Sequence, residues 1–197
     1  MKDHHSDVRL TPGARRILDT ASALFYHHGI HAVGVDLIAT ESGVTKRTLY
    51  DRFGSKDTLV TAYLRNRHQQ WWTRWEQRLE NAPPPRALTV FDSYTADAPM
   101  SDRGCAFLNA AAELPPTHPG YQVIRHHKEQ VRERLRHLIA EDPRIHNPDH
   151  LAGHLFLLVE GAIAHRGIDG TDDRLTHARA MAEHLLASAG EHTPAHP

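Results

Sequence analysis

The 197-residue chain has little that would place it in a membrane, in a secreted scaffold or among metal enzymes. Its one cysteine, Cys105, cannot form an internal disulfide, which fits a reducing compartment and a cytoplasmic protein. No apolar run reaches the roughly 18 to 20 residues that span a bilayer. The first ten residues, MKDHHSDVRL, carry no apolar segment and do not read as a secretory signal. Strand-like alternation of apolar and polar residues is missing, and so are internal repeats and long low-complexity tracts. There is no nucleophile motif, zinc signature or glycine-rich phosphate loop, so neither an enzyme nor a cofactor is expected. Histidine is abundant, with 18 residues, but neighbours such as His126 and His127 point apart on a helix, and His4 and His5 have no acidic companion at ligand spacing. No metal site follows from them.

What remains is helical periodicity from end to end, which makes the fold class all-α. Thr11-Pro12 is a helix-start signal, and Ile17, Leu18, Ala21, Leu24 and Phe25 repeat at helical spacing up to a stop at Gly29. Val35, Ile38 and Ala39 mark a short second helix closed by Ser42-Gly43. Val44, Leu49 and Phe53 mark a third, stopped by Gly54. Ser55 is a good cap for a long fourth helix that runs from Lys56 to about Asn81 and ends at three prolines. Further helical patterns cover Arg86 to about Ala98, Cys105 to Leu114, His118 to about Glu141, Leu151 to His165 and Asp172 to about Ser188, and the tail GEHTPAHP reads as disordered. The eighth pattern, containing LFLLVEGAIA, is apolar nearly all round and has more apolar circumference than one neighbour could bury.

Net charge is −1, and from Met1 to Lys56 eight basic residues face six acidic ones, so bulk charge says little about partners. The local arrangement says more. Two short helices joined by a glycine turn, with basic and hydroxyl side chains on the outward face of the second, form a helix-turn-helix pattern. Between its apolar anchors lie Thr45, Lys46, Arg47, Thr48 and Tyr50. Arg47 suits a bidentate contact with guanine, and Lys46 a base or a phosphate. The hydroxyls of Thr45, Thr48 and Tyr50 suit phosphate oxygens or base edges. Lys56 adds charge in the first turn of the next helix, where backbone amides already favour phosphate.

The segment Ala32 to Tyr63, AVGVDLIATESGVTKRTLYDRFGSKDTLVTAY, resembles the DNA-binding signature of the TetR family of bacterial transcriptional regulators. The specific part is the G-V-[ST]-K-x-T-L-Y-x-x-F-x-[SN]-K pattern, met from Gly43 to Lys56. The likeness covers about the first third of the chain. It departs at Val33-Gly34, where the family often has a threonine or serine that contacts phosphate. The resemblance implies a DNA-binding domain over residues 11–56 and a ligand-binding and dimerisation domain over 57–190. It assigns Thr45, Lys46, Arg47, Thr48 and Tyr50 to operator contact and Lys56 to a phosphate. It also implies a homodimer paired through the helices near 151–165 and 173–188. That pairing agrees with the surplus apolar surface of the eighth pattern, in which Gly153 and Gly161 would allow close approach.

On the same resemblance, the protein is a repressor that binds a palindromic double-stranded DNA operator and is released by a small apolar or aromatic effector. Candidate effector-binding residues are Trp71 and Trp75 in the fourth pattern and Phe91 and Tyr94 in the fifth. Cys105, Asn109 and Glu113 stand in the sixth, His127 in the seventh, and Phe156 and Glu160 in the eighth. The run Arg103 to Ala110, RGCAFLNA, is similar to a segment found in one branch of the family. Several of these candidates have plainer readings. The tryptophans can be core, Cys105 a small filler, and Glu160 half of an ion pair. The alternatives are a redox-responsive regulator acting through Cys105, and, in a different class, a small-molecule enzyme or an interaction module on a helical body.

Overall fold

Residues 10–97 and 103–191 are described by the computed structural model, and the described residues contain helices and no strands. The sequence expectations for His4 and His5, for a helix end at Ala98 and for the tail beyond Glu191 lie outside them.

Three helices make a small head. The first, α1 (Pro12–His28), is capped by Thr11 Oγ1, which accepts from the Ala14 amide at 3.4 Å. Its inner face buries Ile17, Leu18, Ala21 and Phe25. Gly29 ends it at φ 88°, a left-handed conformation that favours glycine. Next comes α2 (Val35–Glu41), closed by Ser42, whose hydroxyl donates to the Ile38 carbonyl at 2.6 Å. Gly43, at φ 66°, turns the chain into α3 (Lys46–Phe53), and Leu49 and Phe53 anchor α3 on the other two helices.

The long helix α4 (Lys56–Leu79) belongs to both regions. Ser55 caps it, accepting from the Thr58 amide at 3.0 Å. Its first turns bury Leu59 and Tyr63 among the head residues, and its later turns bury Trp71, Trp75 and Leu79 in the body. A single 3-10 turn, Arg86–Leu88, leads into α5 (Thr89–Ala96), so the fifth helix is shorter than the periodicity predicts. Then follow α6 (Ala106–Glu113), α7 (Pro119–Ile139), α8 (Pro148–Asp169) and α9 (Asp173–Glu191). The body is built mainly by α7 lying on α4 and α8, and by α9 lying on α8 and α5. Gly190 and Glu191, read from sequence as part of a disordered tail, close α9 instead.

Candidate nucleic-acid interface and body cavity

The outward face of α3 is presented by caps and anchors at both ends. Thr45 is the N-cap: its Oγ1 accepts from the Thr48 amide at 3.1 Å and shares a hydrogen bond with Thr48 Oγ1 at 2.9 Å. The two threonine hydroxyls are thus engaged in starting the helix. Lys46 leans back onto α2, its Nζ 2.9 Å from Asp36 Oδ1. Hydrogen bonding to Asp36, and then the charge of Asp36, raise the lysine above its ordinary pKa and keep it protonated. Lys56 donates to the Ile30 carbonyl at 2.6 Å, which pins the α1–α2 connection to the start of α4. Arg47 is the most exposed, its nearest ion-pair partner being Asp51 at 4.0 Å, and Tyr50 is 41% exposed. At the start of α2, Gly34 provides no side-chain cap and Val33 is fully buried, so the threonine or serine contact common in the family has no counterpart in either side chain.

In the body, a small cavity of about 20 Å³ lies where α4, α5, α6, α7 and α8 meet. That is room for about one water molecule. Of the ten residues expected around a ligand, Trp71, Tyr94, Cys105 and His127 line it. Trp75 and Phe91 are packed into the core instead, and Trp75 Nε1 donates to Thr89 Oγ1 at 2.9 Å. Phe156 is half-buried on α8, outside the cavity wall. Asn109 closes the turn before α6, its amide donating to the Arg103 carbonyl at 2.9 Å. Glu113 faces the head: its carboxylate accepts from the His31 amide at 2.7 Å and packs against Gly29. Glu160 finds its partner within the chain, Lys128, at 2.6 Å.

Several wall and neighbouring residues were not anticipated. Asp97 is buried at the end of α5, where the helix dipole disfavours a carboxylate. Arg67 and Arg74 hold it at 2.5 and 2.6 Å, as a buried charge requires. The signal was present: Phe91, Tyr94 and Asp97 share a helical face at i, i+3, i+6, and Arg67, Trp71 and Arg74 share another. Phe107 stacks on His127 with ring centres 3.8 Å apart. His127 Nδ1 lies 3.0 Å from His68 Nδ1, so one of the pair must carry the proton and the other accept it. Burial, with Lys128 and the other nearby cations, holds His127 well below the usual imidazole range. Two polar atoms of wall residues, Trp71 Nε1 and Tyr94 Oη, are buried without a hydrogen-bond partner. Each such orphan costs about 1–3 kcal/mol.

The cavity is wired to the head. Gly104 lines it, and the Gly104 carbonyl accepts from Tyr26 Oη of α1 at 3.1 Å. The Arg103 amide donates to the same Tyr26 oxygen at 2.8 Å. Gly104, at φ 74°, must be glycine for a second reason: a Cβ there would come within 2.9 Å of the Ile163 carbonyl. The RGC run therefore draws the start of α6, α1 and α8 into one junction.

Comparison with known proteins agrees with both halves of this geometry. The profile of bacterial regulatory proteins of the tetR family matches residues 17–63, which contain all of α2 and α3. A search of curated sequences finds no match. Among solved structures, a TetR-family transcriptional regulator from Streptomyces coelicolor is 29% identical, with a TM-score of 0.83 over 91% of this chain and 96% of its own. A TetR-type transcriptional regulator from Streptomyces avermitilis is 30% identical, with a TM-score of 0.76 over 93% of this chain and 100% of its own. A TetR regulator from Chloroflexus aurantiacus, 24% identical, shares the fold with a TM-score of 0.76 over 90% of this chain and 93% of its own. Because the likeness runs through head and body alike, and not only through the helix-turn-helix, this chain belongs to the TetR family of bacterial transcriptional regulators.

Proposed function

We infer that the protein is a dimeric, cytoplasmic repressor that binds a palindromic DNA operator and leaves it when a small molecule occupies the body. The observation that carries this reading is the face of α3. Leu49 and Phe53 are buried beneath it, while Arg47 and Tyr50 stand outward with no strong partner to hold them back. Arg47 enters the major groove to read guanine, and Tyr50 with the two threonines contacts the backbone. Lys46 exchanges Asp36 for DNA, and Lys56 steadies the head beside a phosphate.

One such head binds weakly, and a symmetric operator needs two, about 34 to 36 Å apart. The surface of α8 and α9 supports the pairing. Gly153, Leu157, Gly161, Ala164 and Ile168 follow one face of α8, and Leu157 is 70% exposed. Nothing lies within 4 Å of a Cβ built on Gly153 or Gly161, so the face is open to a close neighbour. Met181 of α9, 57% exposed, continues it. Exposed apolar faces of this kind mark interaction surfaces.

Release follows from the junction at Gly104. An effector that opens the cavity displaces the start of α6, and Tyr26 transmits the shift to α1 while Trp71 transmits it to α4. The spacing of the two heads then no longer fits the operator.

The test is a mobility-shift titration on DNA flanking the gene that encodes the protein. Salt-sensitive, sequence-specific binding to a palindrome is expected, and its absence overturns the reading. Leu157→Arg places two like charges at a two-fold interface. It should give a monomer by sedimentation and, with avidity lost, weaken operator binding roughly 100-fold or more.

A second reading, a thiol switch, is favoured by one contact. The Lys128 ammonium donates to Cys105 Sγ at 3.5 Å, which ties the sulfur, the atom an oxidant would attack, to the Lys128–Glu160 pair. Peroxide would then release DNA from the parent protein and not from Cys105→Ser.

A further inference from the structure

Among the described residues, six buried side-chain polar atoms lack a hydrogen-bond partner. His118 Nε2, Arg134 Nε, Arg166 Nη1 and Asp172 Oδ1 belong to groups that ion pairs already hold, to Asp57, Glu76 and one another. Trp71 Nε1 and Tyr94 Oη are different. Each is the sole polar atom of its side chain, and both side chains wall the same cavity. Both are donors when aimed at an acceptor. The rings themselves lie 4.9 Å apart, and Phe107 adds a further apolar ring to the wall.

The charges around this space do not cancel. Arg67, Arg74 and Lys128 face two carboxylates, Asp97 and Glu160. His68 and His127 add no stable negative partner. A cationic ligand could use the aromatic walls, but it would leave both donors unpaired and add to the positive excess.

The geometry points to a compact aromatic carboxylate as the molecule this body takes up, its oxygens accepting hydrogen bonds from Trp71 Nε1 and Tyr94 Oη while its ring displaces Phe107. This deepens, and rests on, the effector-binding role proposed above. The cavity holds about one water, so a ligand of this size must move part of its wall, which includes Phe107 and the start of α6. That is the segment joined to α1 through Gly104 and Tyr26. Uptake and release from DNA are then one motion.

The test is calorimetric titration of the full-length protein with four probes of similar size: benzoate, acetophenone, ethylbenzene and benzylammonium. Benzoate should bind at least tenfold more tightly than acetophenone, and the other two should bind more weakly still. Tyr94→Phe and Trp71→Phe should each weaken benzoate about tenfold, the loss of one hydrogen bond to a charged group. Because the hydroxyl has no partner in the free protein, the thermal midpoint of Tyr94→Phe should equal or exceed the parent's. A tighter neutral or cationic probe, no binding by benzoate, unchanged affinity in both variants, or a lowered midpoint in Tyr94→Phe overturns the inference. Operator binding measured alongside separates the two claims. A protein that binds its operator but not benzoate loses only the effector class, whereas one that binds no operator loses the regulatory reading as well.

Discussion

Among the described residues the head buries Ser42, satisfied by a carbonyl one turn away, and the Tyr26 hydroxyl, which bonds to the body. In the body and along α4 the interior holds Thr61, Thr89, Ser93, Asp97, His118 and His127, together with the half-buried Lys128–Glu160 pair. The head is therefore a plain apolar core dressed with local caps, and most of its polar groups lie at the surface. The body carries charges and imidazoles in its centre, where each must be matched by a residue far away in sequence. A region that reads DNA gains from a rigid scaffold and free surface groups. A region that responds to a small molecule gains from buried polar atoms whose partners can be exchanged.

The largest effect should come from joining what this comparison separates. Trp75 sits in the half of α4 that serves the body, fully buried and bonded to Thr89. Trp75→Ala should destabilise the protein by about 3–5 kcal/mol in urea unfolding. Because α4 is shared, head and body should still unfold in one transition. Two transitions would show that the head is stable on its own and that α4 does not couple the regions.

Arg47→Ala probes the opposite case, a side chain with no structural duty. It should weaken operator binding by about 1–3 kcal/mol while leaving the thermal midpoint unchanged. Lys46→Ala should cost less affinity, since Asp36 competes for that lysine in the free protein. Equal losses would mean that the ion pair dissolves without cost on DNA.

Acid should act through the buried imidazoles between α4 and α7. Burial lowers the His127 pKa in the folded chain, so on acidification the unfolded chain takes up its proton first, near pH 6.5. Stability is complete above that value and falls as pH drops below it towards the depressed folded pKa, by up to about 1.4 kcal/mol per pH unit for one proton. His127→Gln, which keeps a hydrogen-bonding group beside His68, should flatten the profile between pH 6.5 and 5 in urea titrations. A profile as steep as the parent's would place the sensitivity elsewhere.

The same contrast explains what could be read from sequence. The caps Thr11 and Ser55 and the stops Gly29, Gly43 and Gly54 act within four residues of themselves, so most ends of α1 to α4 were legible, whereas Thr45, read as an operator contact, turns out to cap α3. The outward face of α3 followed from where Leu49 and Phe53 must point. What sequence did not show is that Lys46 and Lys56 are held back by Asp36 and by the Ile30 carbonyl. In the body, aromatic residues were rightly set among the buried ones, but core and cavity wall look alike in periodicity. Trp71 and Trp75 share a helix face, yet one lines the cavity and the other packs against Thr89. The partners of Asp97, Glu160 and His127 lie 23 to 59 residues away, so periodicity can show which face each residue shares but not which face it meets.

Glu113 is where the two regions touch through a single side chain, and it supplies the smallest and most specific test. Sequence suggested a ligand contact, but its carboxylate takes the His31 amide, while its own carbonyl meets His31 Nε2 at 2.8 Å. It thereby caps the connection that follows α1, from the far end of α6. Glu113→Ala removes the carboxylate contact and leaves the backbone one, so the expected loss is about 1 kcal/mol, a fall of a few degrees in thermal midpoint. The more telling readout is local. Amides from Gly29 to Val33 should exchange several-fold faster with deuterium, while those of α7 and α8 keep their protection. If the head is held to the body only through α4, the exchange of this loop will not change. Faster exchange together with a weaker effector response would show instead that α6 works the head directly, with Tyr26 and Glu113 as its two points of grip.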